Sequence, residues 1–536
     1  MFDWLKKPDH PMATPEAALK ELAELPEDDP AKALEDLCAW LTSLREAEGF
    51  RPEVRAAVLG VVDEAGQLHH ERMLSEYLVA PQLYEAKSQI RLQKLVAYWN
   101  ALLDAYTMSA AELEPHADKA GAGQDAFDLS VCRGLRAAGQ IAKTRHLAYQ
   151  AVEKSLWERL CRLYQLAERH QRQGAEMRAF QAEPLTTRIQ GELLRALALE
   201  AGAPEKLAPE HVELTFRIIA RVGNSLGLSD APGPGLRFWV DFAHPAAPAD
   251  GMNRPPAQGG SGVRWFGAGT ALARLDEMVK HNDANALPTE RRFGRDFSVW
   301  DKMTVLRHLL MYWGESRPVR RDPRTPGAGE LQVLHGFSAT RKVVPQTDNS
   351  ESGAIAQTLQ ERKSLALAAE EVDQVPEAWS FRDVSSSGVG ADVTPGPNLW
   401  IKVGKVCALK APDSNAWWVG VVRRLDASNR SALRVGIELL TRHPRALWLK
   451  FVGEGQTAAA NWETSSGAYA YEYVNVVMLF PEKARSLNDA LLLMSPTNFI
   501  GGAMCEALMG DKSRLVRLGQ PVATGDDFVI AACEWQ

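Results

Sequence analysis

The sequence lacks the features that mark several common protein classes. Its 536 residues include only 6 cysteines, and none of these forms a CxxC pair, which argues against a zinc knuckle or a dithiol redox site. No segment approaches the roughly 18–20 apolar residues of a membrane-spanning helix, and the first residues show no apolar core of signal-peptide length. We therefore expect free thiols, no membrane insertion and a cytoplasmic location.

The charge balance argues against a general nucleic-acid binder. Lysine and arginine together number 61 against 68 aspartates and glutamates, which gives a net charge of −7. Domains that bind DNA or RNA are usually basic. No DNA or RNA partner is therefore expected, and any anion-binding site must be a local cluster of basic residues.

Familiar catalytic and metal-binding motifs are also missing. The sequence contains neither a GxxxxGK[ST] phosphate loop nor a GxSxG nucleophile motif. The adjacent His69 and His70 would point about 100° apart on a helix, whereas two histidines that share a metal lie on one face. We expect no metal site, no catalytic residues, no cofactor and no enzymatic activity.

Helical texture dominates from about residue 15 to about residue 230. The segment ATPEAALKELAEL begins with a threonine suited to capping a helix and a proline suited to the first turn. Around Leu147–Leu166, the spacing of Val152, Leu156, Leu160 and Leu163 is typical of one helical face. These patterns predict an all-α region.

We assign residues 1–314 to this helical domain, a bundle or an irregular helical array, because no repeat of fixed period is present. Residues 242–263 are rich in proline and glycine and predict a loop. The loop separates the runs RFWVDF and VRWFG, which fit either a pair of strands or apolar segments packed on helices. Helices are expected again in TALARLDEMVKH and SVWDKMTVLRHLLMYW.

The texture changes after Gly314. Short β-type runs with turn signals between them predict an antiparallel barrel or sandwich; they include LQVLHGF, WVGVVRRL, LRVGIELL, YEYVNVVMLF and FVIAACEW. Residues 315–447 form one such domain with a helical insertion at about 345–375, and residues 448–536 form a smaller β-rich unit. Whether this last unit is a second barrel stays open. The predicted fold class is α+β multidomain.

A basic strip, stiffened by prolines, precedes the first β-type run. It contains Arg317, Arg320, Arg321 and Arg324, and its prolines keep it out of a helix interior. Guanidinium groups form bidentate hydrogen bonds with phosphate or with the O6/N7 edge of guanine, and they stack on base planes. The alternative is an exposed linker whose arginines are solvated.

The segment FRDVSSSGVGADV at 381–393 interrupts the strand texture with three serines. If the segment is a strand, Asp383 and Ser385 lie on one face, because side chains alternate with a period of two. Gly388 and Gly390 would then let the backbone turn or approach a ligand closely. The alternative is a loop in which Asp383 bonds its own backbone two residues on.

Together these segments resemble the PilZ domain family. Its signature is an RxxxR segment, then D/N-x-S-x-x-G, and later a V-G-[IVF]-x-[FL] strand. The matching residues in this sequence are Arg320 and Arg324, then Asp383, Ser385 and Gly388, then the RVGIEL strand that contains Gly436. The resemblance covers roughly residues 317–445, with the motifs in the family's order, and it does not extend to the helical region.

The resemblance implies a PilZ-like antiparallel β-barrel that binds the bacterial second messenger cyclic di-GMP. The implied ligand-binding residues are Arg320, Arg321, Arg324, Asp383, Ser385 and Gly388, with Arg317 and Gly436 as additional candidates. The implied function is a cytoplasmic bacterial receptor that passes the signal to a protein partner through its helical region. Homo-oligomerisation stays open. The alternative is an adaptor with a degenerate barrel that binds no nucleotide.

The spacing of the motifs departs from the family. Asp383 follows Arg324 by 59 positions (383 − 324), and the excess includes an acidic segment at 354–375 that we expect to be helical. Either this insertion folds away from the site, or it covers the arginines with Glu370 and Glu371. Because Arg317 and Arg321 are also spaced RxxxR, the pair that engages the ligand stays open.

Overall fold

The computed structural model describes most of the chain, in two compact units. The described residues are 8–79, 81, 83–256, 262–283, 287, 297–315, 322–347, 374–396, 400–429, 431–452, 473–480, 486–509 and 512–536. The helical unit comprises Met1–Val319 with Gly396–Leu399, and the barrel unit comprises Arg320–Pro395 with Trp400–Gln536. Within these described ranges, no helix combines the length and apolar character needed to cross a bilayer.

Ten α-helices of the helical unit lie within the described residues. They are α1 (Pro15–Leu22), α2 (Pro30–Glu46), α3 (Pro52–Val79), α4 (Ala86–Leu113), α5 (Ala122–Leu147), α6 (Lys154–Arg169), α7 (Ile189–Ala201), α8 (Pro209–Val222), α9 (Ala271–Lys280) and α10 (Val299–Trp313), among the residues described. The predicted cap is present, since the Ala17 amide donates to Thr14 Oγ1 over 3.3 Å. A reciprocal capping box of Ser298 and Asp301 begins α10, which satisfies amides that a helix start leaves unpaired.

Helix α5 lies at the centre of the helical unit. It packs against α3, α4, α6, α7 and α8, so that even Arg133, Arg136 and Lys143 on this helix are buried. The close approach of α3 to α4 depends on Gly66, because a Cβ atom there would lie 2.0 Å from the Tyr98 hydroxyl oxygen. The core of this unit is therefore built around one helix with no solvent-facing side over most of its length.

The predicted helix around Leu147–Leu166 is wrong at its start. Helix α5 ends at Leu147 and α6 begins at Lys154. Tyr149 has a φ of 54°, a left-handed conformation that an α-helix does not accept, so the chain turns there despite its good helix formers. Val152 precedes α6, whereas the other three predicted face residues, Leu156, Leu160 and Leu163, are buried as expected.

Two small sheets complete the helical unit. Strands β1 (Glu176–Met177) and β2 (Thr187–Arg188) pair with each other. Strands β3 (Gly227–Ser229), β4 (Phe238–Asp241), β5 (Ala249–Asp250) and β6 (Val263–Gly267) form an antiparallel sheet in the order β3-β6-β4-β5. Phe238 lies opposite Phe266 in this sheet. The runs RFWVDF and VRWFG are therefore paired strands, which decides between the two alternatives.

The first part of the barrel unit is a ring of antiparallel strands. Its strands are β7 (Thr325–Pro326), β8 (Glu330–His335), β9 (Glu377–Ser385), β10 (Gly388–Val393), β11 (Val406–Lys410), β12 (Trp418–Asp426) and β13 (Leu433–Thr441). They follow the order β10-β13-β12-β11-β8-β9, and β9 also pairs with β10, which closes the ring. The short strand β7 pairs with the end of β9, whereas β8 pairs with the beginning of β9. The predicted antiparallel barrel is confirmed.

The second part of the barrel unit is another closed barrel. Strands β14 (Arg445–Phe451), β15 (Tyr473–Leu479), β16 (Leu491–Met494), β17 (Met504–Met509), β18 (Lys512–Thr524) and β19 (Val529–Trp535) close in the order β14-β15-β16-β19-β18-β17. Helix α11 (Gly336–Thr347) follows β8, and its Phe337 and Val344 share one apolar cluster with residues of both barrels. The acidic segment at 354–375 lies almost entirely outside the described residues; only 374 and 375 are described, and neither is helical.

The cysteines are free, as the sequence predicts, and all except Cys38 are buried. In the part of the chain that the structure describes, no cluster of three or more His, Cys, Asp or Glu side chains could hold a metal ion.

Candidate ligand site on the first barrel

The three serines of FRDVSSSGVGADV mark a β-hairpin. Strand β9 ends at Ser385, strand β10 begins at Gly388, and the two residues between them form the turn. Ser385 lies opposite Gly388, and Asp383 lies opposite Gly390. The interruption in strand texture is therefore the reversal between two paired strands.

The hairpin presents one polar face on the outside of the barrel. Val389 and Ala391 are fully buried and, on the neighbouring strand β13, Val435 and Ile437 are buried as well. Residues directly opposite each other on paired strands share a face of the sheet. Because side chains alternate along a strand, the residues between these buried ones face outward. This outer set comprises Asp383, Ser385, Gly388, Gly390 and, on β13, Gly436.

Arg324 lies directly against this face. It immediately precedes β7, whose Thr325 and Pro326 pair with Val384 and Asp383. The Arg324 Nη1 atom donates a hydrogen bond to Asp383 Oδ1, and the two side chains are 29% and 27% exposed. The separation of 59 positions therefore does not prevent contact between the arginine motif and the Asp383 motif.

Gly390 provides the room for this ion pair. A Cβ atom at Gly390 would lie 2.6 Å from Asp383 Oδ1 and 2.9 Å from Arg324 Nη1, both shorter than any ordinary carbon contact. Arg324 Nη1 therefore lies close above the backbone of β10. The sequence pointed to Gly390 as a position of close backbone approach, but Gly390 was not counted among the expected ligand-binding residues.

The two other glycines differ in what they leave open. A Cβ atom at Gly388 would lie 3.1 Å from the Ile437 carbonyl oxygen and 4.0 Å from Arg324 Nη2. At Gly436, opposite Gly390 on β13, the nearest atom would be Arg424 Cβ at 3.3 Å. Adjacent strands lie about 4.8 Å apart, so Gly390 and Gly436 remove two neighbouring side chains from the sheet. Arg324 and Asp383 cover Gly390, which is buried, whereas Gly436 is partly exposed.

Further contacts tie the arginine segment and β13 to the hairpin. Ser386 donates from its hydroxyl to Asp322 Oδ2, and Arg442 Nη2 donates to the Ser385 carbonyl oxygen over 2.6 Å. The Arg442 guanidinium also lies 4.7 Å from the centre of the Trp418 ring. Sequence reasoning missed Asp322, Ser386 and Arg442, because each acts through a residue far away in the chain.

The remaining predicted residues have different outcomes. The Ser385 hydroxyl contacts the Gly388 carbonyl oxygen at 3.4 Å, so its hydrogen bond closes the hairpin. Arg317, Arg320 and Arg321 lie outside the described residues, as do Glu370 and Glu371 of the insertion. The structure thus brings together Arg324, Asp383, Ser385, Gly388 and Gly436 on one face.

Chemically, the face offers one guanidinium that a carboxylate holds above the backbone of β10. In the structure, Asp383 holds an arginine. In addition, Asp383 Oδ2 makes no hydrogen bond to any residue that the structure describes. That oxygen can accept a hydrogen bond from a ligand, while the outward surface of the guanidinium can stack on a planar ring.

A comparison with family models adds information about the other unit. Residues 16–233 match the family model described as "Cyclic-di-GMP receptor FimW, N-terminal domain". The match covers helices α1 to α8 and less than half of the chain. No curated protein matches the chain. The helical region in which sequence reasoning found no resemblance is therefore similar to the N-terminal domain of a cyclic di-GMP receptor.

Proposed function

We propose that this protein is a cyclic di-GMP receptor that binds the nucleotide on the outer face of its first barrel. The observation that carries the proposal is the Arg324–Asp383 ion pair, which lies over Gly390 at the mouth of the β9–β10 hairpin. The PilZ-like order of the motifs supports it independently. So does the match of the helical region to a domain of a named cyclic di-GMP receptor.

In this proposal, a guanine base stacks on the Arg324 guanidinium, which Asp383 holds in place. Asp383 Oδ2 accepts a hydrogen bond from the N–H edge of a guanine, a pairing of carboxylate with amide-type donors. Gly388 and Gly436 leave room for the ligand, and Ser385 keeps the hairpin closed. Arg317, Arg320 and Arg321 supply bidentate contacts to phosphate or to the guanine O6/N7 edge.

We further propose that the helical unit passes the signal to a protein partner in the bacterial cytoplasm, without catalysis by this chain. Homo-oligomer formation is compatible with the proposal. The support is that the two features lie in different units of the chain. The Arg324–Asp383 pair is in the barrel unit, whereas the family match is to the helical unit.

Titration of the full chain with cyclic di-GMP, followed by calorimetry, tests the proposal. We expect saturable binding that GTP and cyclic di-AMP do not compete away at equal concentration. Binding of all three with similar affinity would indicate a general anion surface and would contradict a guanine-specific dinucleotide site.

The adaptor alternative has one observation in its favour: Arg324 is already neutralised by Asp383, so this pair needs no ligand. Thermal melting separates the two. A ligand at 100 times its Kd stabilises a protein by about 2.7 kcal/mol, so a receptor should melt at a higher temperature with cyclic di-GMP. No shift of the melting temperature at millimolar nucleotide favours the adaptor.

A further inference from the structure

A polar cavity lies inside the helical unit, among helices α3, α5, α7 and α8. Its volume is about 190 Å³, and Arg136, Lys143 and Arg195 line it beside Phe180 and Phe216. A cavity of 150 Å³ is large enough for benzene, so this one can hold a small organic molecule. Unlike a benzene-sized apolar cavity, however, its wall carries buried charges.

Two of the cations on this wall already have carboxylate partners. Arg136 donates to both carboxylate oxygens of Glu192, over 3.1 Å from Nε and 2.7 Å from Nη2. Lys143 Nζ lies 2.7 Å from Glu213 Oε2. Burial alone would raise the pKa values of the two glutamates, but these cations outweigh it, so that the pKa of Glu192 is lowered to about 2 and that of Glu213 further still.

Arg195 is the exception. Its side chain is only 12% exposed, and its nearest carboxylate atom, Glu192 Oε2, lies 3.8 Å from Nη1, which is beyond hydrogen-bond distance. Its Nε atom has no hydrogen-bond partner in the structure as described. The guanidinium instead stacks on Phe216, 3.8 Å from the ring centre.

A buried guanidinium in this state calls for an explanation. Burial is the main cause that lowers the pKa of Arg195, and the charge of Arg136 adds to it against the opposing effect of Glu192, with a result of about 10. The side chain is therefore still charged at neutral pH. Because a buried N–H group without a hydrogen-bond partner is costly, the site is best suited to an anion that accepts from Arg195 Nε.

Two neighbouring groups show what else the occupant must carry. Gln140 and His70 line the same cavity, and they are 9% and 4% exposed. Gln140 Oε1 and His70 Nδ1 have no hydrogen-bond partner among the described residues. Since the amide oxygen can only accept a hydrogen bond, an occupant that satisfies it must present an N–H or O–H group.

We propose that this cavity binds a small monocarboxylate that also carries a hydroxyl or ammonium group, such as a 2-hydroxy or 2-amino acid. The carboxylate accepts the free N–H groups of Arg195, and the hydroxyl or ammonium donates to Gln140 Oε1. A single negative charge suits the site, because a phosphate dianion would add repulsion beside Glu192 and Glu213. The helical unit would then sense a small molecule independently of the nucleotide on the barrel.

The test uses the full chain with L-lactate, L-serine and inorganic phosphate as separate probes in calorimetry. We expect saturable binding of lactate or serine at low millimolar concentration, and at least tenfold weaker binding of phosphate. Arg195→Met should abolish carboxylate binding, whereas Arg188→Met should leave it unchanged, because Arg188 is 47% exposed and paired with Glu176. Failure of both carboxylates to bind, or preferential binding of phosphate, would overturn the proposal.

The stability of the ligand-free variant provides a second readout. A purely structural Arg195 would lose packing and ion-pair stability when replaced, so the melting temperature would fall. If Arg195 instead waits for an anion, Arg195→Met removes a buried cation whose Nε atom has no partner and keeps an apolar side chain beside Phe216. The ligand-free variant should then melt at the wild-type temperature or above. A lower melting temperature, together with unchanged lactate and serine titrations, contradicts the proposal.

Discussion

Arg324 and Asp383, which are 59 positions apart in the chain, form an ion pair on the outer face of the first barrel. Antiparallel pairing of β7 with β9 brings them together. The arrangement explains why the hairpin carries glycines where a strand would ordinarily carry side chains: Arg324 occupies the space above Gly390.

Replacing Asp383 by alanine should weaken cyclic di-GMP binding by roughly 10- to 150-fold, because loss of one charge-assisted contact costs about 1.5–3 kcal/mol. Arg324→Ala should have an effect of similar size. Calorimetry measures both. Asp392→Ala is the matched control, since Asp392 lies on the same strand pair with the same 27% exposure and is paired with Arg382. Equal loss of affinity in Asp392→Ala would place the site elsewhere.

Gly390→Ala should also weaken nucleotide binding, by about tenfold or more, without unfolding the barrel. The added methyl group overlaps Asp383 Oδ1 and Arg324 Nη1, and both side chains can rotate away at the expense of their pairing. Gly396→Ala serves as the control, because a Cβ atom there meets nothing within 4 Å. Wild-type affinity in Gly390→Ala would show that the position of Arg324 above Gly390 does not matter for ligand binding.

The capping carboxylate of α10 makes helical-unit stability depend on pH. Burial raises the pKa of Asp301, but hydrogen bonds from His211 and Ser298 outweigh it and lower the pKa from 3.8 to about 2. Because this pKa is lower in the folded state than in the unfolded chain, ionised Asp301 stabilises the fold above pH 4. This contribution is lost as the pH falls toward 2. The Asp301→Asn variant should therefore be less stable than wild type by roughly 2 kcal/mol at pH 7. Urea titrations should show this difference shrinking between pH 4 and pH 2; a constant difference would exclude the ionised cap as its cause.

Glu377 holds two tryptophans at the end of the first barrel. Trp379 Nε1 donates to its Oε2 over 3.0 Å, and Trp400 Nε1 donates to its Oε1 over 2.7 Å. The two indoles are stacked, with their ring planes 22° apart. Glu377→Ala should destabilise the barrel unit by about 1–3 kcal/mol, because it leaves the buried Trp379 N–H unpaired.

Tryptophan fluorescence during urea unfolding measures this effect, and we expect a red-shifted native spectrum as Trp400 gains access to water. The exposed Glu330 on β8 provides the control variant Glu330→Ala, which should retain both the spectrum and the midpoint. A native spectrum unchanged in Glu377→Ala would mean that packing alone holds the indole pair.

Much of the fold was predictable because its signals are local. Alternation with a period of two marks strand β13, and Thr14 and Pro15 mark the start of α1, wherever these segments lie in the folded chain. The prediction of a helix that includes Val152 was wrong because composition does not show where a helix ends. Good helix formers continue across the turn at Tyr149.

The candidate site was predictable in part. The motif order selected Arg324, Asp383, Ser385 and Gly388 as residues of one site. It did not reveal Asp322, Ser386 or Arg442, because their contacts depend on which strands are neighbours. Closure of the ring requires β10 to pair with both β9 and β13. The pairing of β10 with β13 joins distant segments, and no pattern within a single strand records it.

By itself, the sequence determined which segments are helices and strands and which short motifs carry charge, since both follow from neighbours within a few positions. Tertiary structure alone decided which charges meet. It brought Arg324 into contact with Asp383, 59 positions away in the chain. It also buried Arg195 beside Phe216, where the Nε atom has no hydrogen-bond partner within the described chain. Such pairings require distant segments to pack, and the free energy of a buried or exposed charge depends on the neighbours that packing supplies.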